Sequence, residues 1–297
     1  MIPYVRDIDI AYGRCDRVSP LIRRVTADNP GPFTFRGTGT YIVGHGAVAV
    51  IDPGPDMPEH LDAIMAATEG ERVTHILITH HHADHSPLAR PLATKTGATI
   101  YGCAVAGHAA VETGIQLEAG HDHFVPDISV CGGETITGAG WTIEAIPTPG
   151  HTSNHICYAL AQENALFSGD HIMGWSTTVI TPPDGDMGDY LRSLETIRAR
   201  RFATLWPTHG PPITDVDPFI GAYIDHRRMR ERDILARLAA GDTSIKAMVP
   251  TLYAAVDSRL WPAAAHSVLA QMLELVKTGR VACDGPAGLD GVYRLAV

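Results

Sequence analysis

The sequence predicts a layered α/β or α+β domain followed by a small helical unit. Short apolar runs ended by Gly, Pro and polar turns fill the first two thirds of the chain, helical stretches lie between some of them, and past the loop 207–218 the pattern becomes helical and ends in a hairpin. Strands are expected at 41–43, 48–51, 76–78, 99–101, 141–146, 156–160, 165–167 and 204–206. Helices are expected at 58–68 after a proline start, at 87–96 before Gly97, and at 189–201, where Leu191, Leu194 and Ile197 recur at helical spacing. Further on, one helix runs from about Pro218 to Ala240 and stops at Gly241. A second carries Ile245, Met248, Val249, Leu252 and Tyr253 on one face, and a third starts at Pro262 and stops at Gly279. Runs at 281–283 and 292–295 flank the turn DGPAGLDG, and three helices with such a hairpin make a winged-helix arrangement. The expected division is a larger layered domain over 1–215 and a winged-helix-like domain over 216–297.

A chain of 297 residues, 45% hydrophobic and 19% charged, has the composition of an ordinary globular protein and enough length to close a core. No stretch reaches the roughly 18 uncharged apolar residues of a membrane helix, and the N-terminus is charged from Arg6 onward without an apolar core or cleavage site. A cytoplasmic protein with no membrane partner is expected. The cysteines Cys15, Cys103, Cys131, Cys157 and Cys283 are widely spaced and never in a CxxC, so buried apolar filler is expected rather than a disulfide framework or zinc ribbon. Residues 216–297 hold 10 Lys+Arg and 9 Asp+Glu, leaving 13 and 24, a net of −11, for residues 1–215. Nucleic acid is thus possible as a partner but disfavoured by charge.

Sixteen histidines stand out from this composition. The run 76–78 leads directly into THHHADHS, which holds His80, His82, Asp84 and His85 in an H-x-H-x-D-H spacing. Four such side chains within six residues converge on one point only in a turn, and neutral imidazole with carboxylate is the ligand set of Zn²⁺, Fe²⁺ or Mn²⁺. Three more runs end in the same manner, at His151 (PTPGH), Asp170 (SGD) and His209 (PTHG). If these ends share one rim, seven ligands exceed a single tetrahedral ion but suit two, with a shared carboxylate and a water between them.

These motifs resemble the metallo-β-lactamase-fold hydrolase superfamily over residues 33 to about 213. The resemblance implies a four-layer αββα sandwich, in the α+β class, with its site at one edge of the two sheets. It also implies a division of ligands: His80, His82 and His151 for the first metal, Asp84, His85 and His209 for the second, and Asp170 bridging. Asp52 matches the family's early aspartate, a supporting partner for a ligand histidine. SGD with Asp170 and THG with His209 resemble the glyoxalase II-like and nuclease-like branches rather than the β-lactamases. NPGPFTFRGTGTY (29–41), TPGHTSNH (148–155), FSGDHIMGWSTT (167–178), HGPPI (209–213) and the winged helix are similar to the beta-lactamase-like endoribonucleases. A sulfur dioxygenase branch that uses iron shares H-x-H-A-D-H, so the motif does not fix the metal.

The expected activity is hydrolysis with two divalent ions, zinc foremost and iron or manganese as options. The ions lower the pKa of a bridging water to near 7, and Asp84, the expected catalytic residue, orients the hydroxide. A small thioester or ester is favoured as substrate. Single-stranded RNA or another phosphodiester is the alternative, with a lactone, a β-lactam or a non-catalytic metal-dependent sensor as minor readings. A homo-oligomer is possible.

Around this set, His81 is expected to be solvated, His155 to support a ligand by hydrogen bonding, and His121, Asp122 and His123 to form a polar loop over the site. Met173, Trp175, Ser176 and Thr177 read equally as a pocket wall or as ordinary packing. Arg227, Arg228, Arg230, Arg232 and Arg237 alternate with Asp225, Glu231 and Asp233, which predicts a solvated, self-paired helix face. The third C-terminal helix offers only His266, Lys277 and Arg280 as cationic groups, so pocket lining or dimerisation is expected rather than DNA reading.

Overall fold

The structure is a computed structural model that describes residues 2–104, 124–255 and 257–296. Its first sheet has seven strands in sequential order: β1 (Cys15–Arg17), β2 (Ile22–Thr26), β3 (Gly39–Val43), β4 (Ala47–Ile51), β5 (Arg72–Leu77), β6 (Thr99–Gly102) and β7 (Ile128–Ser129). β1 to β4 form an antiparallel meander, and β4 to β7 are parallel. The crossovers β4 to β5 and β5 to β6 run through α1 (Pro58–Ala67) and α2 (Ala89–Thr96). The second sheet holds β8 (Thr135–Gly138), β9 (Trp141–Pro147), β10 (Ile156–Leu160), β11 (Ala165–Gly169) and β12 (Thr204–Pro207), in the order β12-β11-β10-β9-β8. Between the parallel strands β11 and β12 lies α3 (Met187–Arg200), capped by the Asp186 carboxylate, which accepts from the Asp189 N–H.

The two sheets face each other because successive side chains of a strand point to opposite faces. Tyr41, Val43, Ala49, Ile51 and Leu77 meet Ile143, Ala145, Tyr158, Leu160 and Phe167 in the core between the sheets. The alternate residues Ile42, Val48, Val50 and Ile76 pack on α1 and α2 through Leu61, Ile64 and Leu92. On the far side Cys157, Leu166 and Leu205 pack on Tyr190, Leu194 and Ile197 of α3. The layers are therefore helix, sheet, sheet, helix, and strands covered on both faces read as unbroken apolar runs.

The C-terminal unit comprises α4 (Val216–Ala239), α5 (Ile245–Leu252), α6 (Trp261–Lys277) and a hairpin of β13 (Val281–Asp284) and β14 (Val292–Leu295). α4 serves two cores: Phe219, Ile220, Tyr223 and Ile224 complete the outer layer beside α3, whereas Ile234 and Leu238 pack with α5, α6 and the hairpin. Among the described residues no helix is long and apolar enough to cross a membrane.

Two local expectations are corrected, and one strand without an apolar run is added. β2 has no apolar run because Arg23 and Arg24 sit in its middle. Both reach tertiary partners: Arg23 pairs with Glu71 at 2.6 Å, and Arg24 donates to the Gly210 carbonyl at 2.9 Å and lies over the Tyr41 ring. Cys103 and Cys131 form a disulfide rather than filler, because the parallel pairing of β6 with β7 brings residues 28 apart in sequence together. The arginines of α4 do not simply pair along a solvated face. Arg228 reaches Glu195, Arg230 lies 3.7 Å from Asp233, and Arg227 is buried against Thr178 and the Tyr190 ring.

Candidate metal centre

The chemistry-bearing residues follow the ends of five strands. Asp52 leaves β4, the turn 79–86 leaves β5, the loop 148–155 leaves β9, Asp170 leaves β11 and His209 leaves β12. β9 and β11 are both antiparallel to β10, and β12 is parallel to β11, so the last three ends lie on one rim. In the facing sheet β4 and β5 run parallel and deliver the other two.

Asp52 organises the centre. It sits at φ +48°, a left-handed conformation that Asp tolerates better than most residues. Its Oδ1 accepts the Thr79 N–H at 2.8 Å. Its Oδ2 accepts the hydroxyls of Thr79 (2.8 Å) and Thr208 (2.9 Å) and the Nδ1–H of His85 (2.9 Å). Because the Thr79 hydroxyl is committed to a carboxylate, its oxygen accepts from His80 Nδ1–H at 3.0 Å. His151 Nδ1–H donates to the Val179 carbonyl at 2.6 Å, and His209 Nδ1–H donates to the Gly37 carbonyl at 3.2 Å. Each of these four rings thus turns an Nε2 lone pair inward.

The inward atoms converge. Donor atoms of His80, His82 and His151 lie within 4.8 Å of one another, as do those of Asp84, His85 and His209, and those of His80, His85 and Asp170. Asp84 Oδ2 is 3.0 Å from His209 Nε2 and 3.5 Å from His85 Nε2. Asp170 stands between the groups, with Oδ2 3.6 Å from His85 Nε2 and 3.9 Å from His151 Nε2, and Oδ1 3.5 Å from His209 Nε2. Nε2 of His85, Nε2 of His209 and Oδ1 of Asp170 are buried and make no well-aligned hydrogen bond among the described residues, the carboxylate and imidazole atoms only crowding together at 3.0–3.6 Å. Each buried polar atom without a well-aligned bond costs about 1–3 kcal/mol, a cost that a shared cation removes. The donor set therefore fits a pair of divalent ions.

Electrostatics point the same way. Burial, reinforced by neighbouring imidazoles, holds His80 and His82 well below the usual imidazole range. At His85 and His209 burial again disfavours the proton, but the surrounding carboxylates outweigh it and raise both. For Asp84 and Asp170 burial opposes ionisation, and the charges of His85 and His209 overcome it, so both carboxyls are held below their ordinary range. The carboxylates attract positive charge and the imidazole lone pairs are there to receive it.

The flanking residues divide. His155 uses both nitrogens in support: Nδ1–H donates to the Thr148 hydroxyl at 2.8 Å, and Nε2 accepts the Asp170 N–H at 3.2 Å. His81 is not solvated but 8% exposed, and its Nδ1 lies 2.9 Å from Asn154 Oδ1, because the turn 79–86 packs against the loop 148–155. Met173 is packed, with its N–H and carbonyl bonded to the Tyr223 hydroxyl, and Trp175 stacks on Phe35 at 4.8 Å. Ser176 and Thr177, by contrast, line a cavity. His121, Asp122 and His123 lie outside the described residues. Sequence reasoning missed Thr79, Thr148 and Thr208, whose hydroxyls hold His80, His155 and Asp52. The repeated Thr-His pairs at 79–80 and 208–209 were the available signal.

A two-sheet sandwich with this His/Asp centre on its rim is that of a metal-dependent hydrolase. The Metallo-beta-lactamase superfamily profile matches residues 34–209, and the Beta-lactamase associated winged helix domain profile matches residues 244–287. The chain belongs to the metallo-beta-lactamase superfamily. It is 35% identical over 228 residues to the Beta-lactamase-like protein 2 homolog of Caenorhabditis elegans, covering 74% of this chain and 72% of that protein. It is 32% identical over 228 residues to an Atrochrysone carboxyl ACP thioesterase of Aspergillus chevalieri, covering 75% of this chain and 67% of that protein. Among solved structures, a beta-lactamase domain protein from Burkholderia ambifaria superposes with a TM-score of 0.81 at 20% identity, covering 99% of this chain and 97% of that one, and shows the shared fold.

Proposed function

We propose that the protein hydrolyses thioesters with two divalent ions, zinc in the first place. The observation that carries this reading is the convergence of five imidazoles and two carboxylates on one rim, with three of their inward atoms buried and in no well-aligned hydrogen bond among the described residues. His80, His82 and His151 would hold one ion, Asp84, His85 and His209 the other, and Asp170 would touch both. When bound, such ions acidify water toward neutral pH and polarise a scissile carbonyl. Asp84 is the more exposed of the two carboxylates and lies 3.0 Å from His209, so it is placed to hold and orient the attacking water's proton. Asp52, Thr79 and the Gly37 and Val179 carbonyls orient the imidazoles. The thioesterase among the relatives and the net charge of −10 favour an acyl substrate over a polyanion. We also propose that the catalytic unit and the winged helix meet near residue 216, with α4 shared between them.

The test is turnover of acyl-N-acetylcysteamine thioesters and of a short single-stranded RNA by metal-replete protein. Thioester hydrolysis that stops on chelation and returns with zinc is expected. Rapid, salt-sensitive RNA cleavage beside inert thioesters would replace this reading with a phosphodiesterase.

A further inference from the structure

A cavity of about 440 Å³ lies where the C-terminal helices meet the segment 176–179. Its walls bring together Arg6, His226, Arg227 and Arg230 with the rings of Tyr4 and Tyr253, and no Asp or Glu lines it among the described residues. In a chain with a net charge of −10, such a local excess of cations runs against the overall composition.

Arg227 is the most informative of these residues. It is 6% exposed and its guanidinium carbon lies 5.2 Å from the centre of the Tyr190 ring. One Nη donates to the Thr178 carbonyl, but Nε is buried without a hydrogen-bond partner, and none of the ion pairs among the described residues includes Arg227. A buried guanidinium without an anion is strongly disfavoured unless a ligand supplies one. Arg230 stacks over Tyr253 at 4.9 Å, donates to the Leu252 carbonyl at 3.0 Å, and among the described residues forms an ion pair with Asp233 alone, at the long distance of 3.7 Å. Arg6 donates through Nε to the Trp175 carbonyl at 3.2 Å. Burial pushes His226 down to about 4, and the charges of Arg227 and Arg230 add to the shift.

The cavity and the metal centre share a wall. The Thr178 hydroxyl donates to the Asp170 and His171 carbonyls, while the Thr178 carbonyl receives Arg227. The next residue, Val179, lines the cavity and accepts from His151 Nδ1.

We propose that this cavity seats the anionic end of the substrate, a carboxylate or a phosphate, on Arg227 and Arg230 between the two tyrosine rings. The occupant rests on the thioester reading above. The C-terminal unit is then a specificity element, because Arg227 and Arg230 come from α4 and Tyr253 directly follows α5. Guanidinium is suited to this task, since its planar fork matches the oxygens of a carboxylate or phosphate.

The test begins without turnover. Inorganic phosphate and glutarate are titrated calorimetrically into the full metal-loaded chain, and thermal melts are recorded for the wild type, Arg230→Gln and Arg227→Gln. At least one anion should bind the wild type and raise its melting temperature, and each variant should lose affinity by about tenfold or more, the loss of one charge-assisted hydrogen bond. Arg230→Gln keeps the test valid if Arg227→Gln does not fold. No binding to the wild type, or equal binding to wild type and Arg230→Gln, overturns the proposal; the second result would place the anion on the metals.

Kinetics then separate the sources of the anion. Glutaryl- and valeryl-N-acetylcysteamine differ by a terminal carboxylate, and valeryl-coenzyme A adds phosphates to the carrier. A lower KM for one charged thioester, lost in Arg230→Gln with kcat retained, identifies the end that is held. Equal KM for all three overturns the pocket assignment and leaves the thioesterase standing. Anion binding lost in the variants, without hydrolysis of any thioester, keeps the anion site and overturns the thioester reading.

Discussion

Asp52 accepts four hydrogen bonds, from the Thr79 N–H and hydroxyl, the Thr208 hydroxyl and His85 Nδ1, although it is not among the groups that converge on the centre. Asn has nearly the same shape and tolerates the same left-handed backbone, but presents two donors where Asp has an acceptor. Asp52→Asn should therefore lower metal affinity about 10–100-fold with the fold retained. Competition with a chromogenic chelator measures this, and unchanged affinity would mean that His85 is oriented without it. Asp170→Asn should cost affinity for both ions, since its oxygens face His85, His151 and His209, and elemental analysis after dialysis reads the loss. The convergence of the candidate ligand residues was legible because each follows an apolar run in a short motif. His81 was misread because its burial depends on Asn154, 73 residues away.

At the scale of elements, the loop from β9 to β10 depends on close packing against α3. Gly150 has φ +138°, and a Cβ there would lie 2.4 Å from Tyr190 Cα. Gly150→Ala combines backbone strain with overpacking against main chain, so a loss of about 2–4 kcal/mol is expected, together with weaker metal binding as His151 moves. Urea denaturation and the chelator assay check it; no change in either would show that α3 can retreat. α4 gives a second prediction. Truncation after residue 215 removes Phe219, Ile220, Tyr223 and Ile224 from the outer core and should yield insoluble chain, whereas truncation after Gly241 keeps them. The longer fragment should stay folded by circular dichroism yet lose substrate affinity, because α5 and α6 form part of the cavity wall. Loss of fold in both would place the whole C-terminal unit in the folding core. Strands with unbroken apolar runs were evident in the sequence. β2 was not, because two arginines interrupt its apolar pattern and their contacts with Glu71, Ala67, Gly44 and Gly210 come from other parts of the chain.

For the whole molecule, buried neutral histidines make stability depend on pH. His60 Nε2–H donates to Thr40, whose hydroxyl is committed to the Asp52 carbonyl, and Nδ1 is buried with no partner among the described residues. Burial lowers His60 to about 4 from 6.5. The unfolded chain takes up a proton as pH falls through 6.5 and the folded chain does not. Stability is therefore unaffected above that pH and falls between 6.5 and about 4, by up to about 3 kcal/mol for this group. Urea unfolding of metal-free protein at pH 7.5 and pH 4.5 should show a smaller loss in His60→Gln than in the wild type. Equal losses would assign the acid sensitivity to other groups.

The sequence by itself determined the strands with apolar runs and the helices between them, the winged helix, and the placement of seven candidate ligand groups after strand ends, because periodicity and motif spacing are local properties of the chain. Only the tertiary structure decided which nitrogen of each histidine turns inward, that Cys103 meets Cys131, and that Arg227 is a buried cation beside the metal centre rather than part of a solvated helix face. Hydrogen-bond partners, disulfide geometry and desolvation are set by residues far apart in sequence. Helical spacing alone cannot distinguish an arginine that faces water from one that faces a cavity.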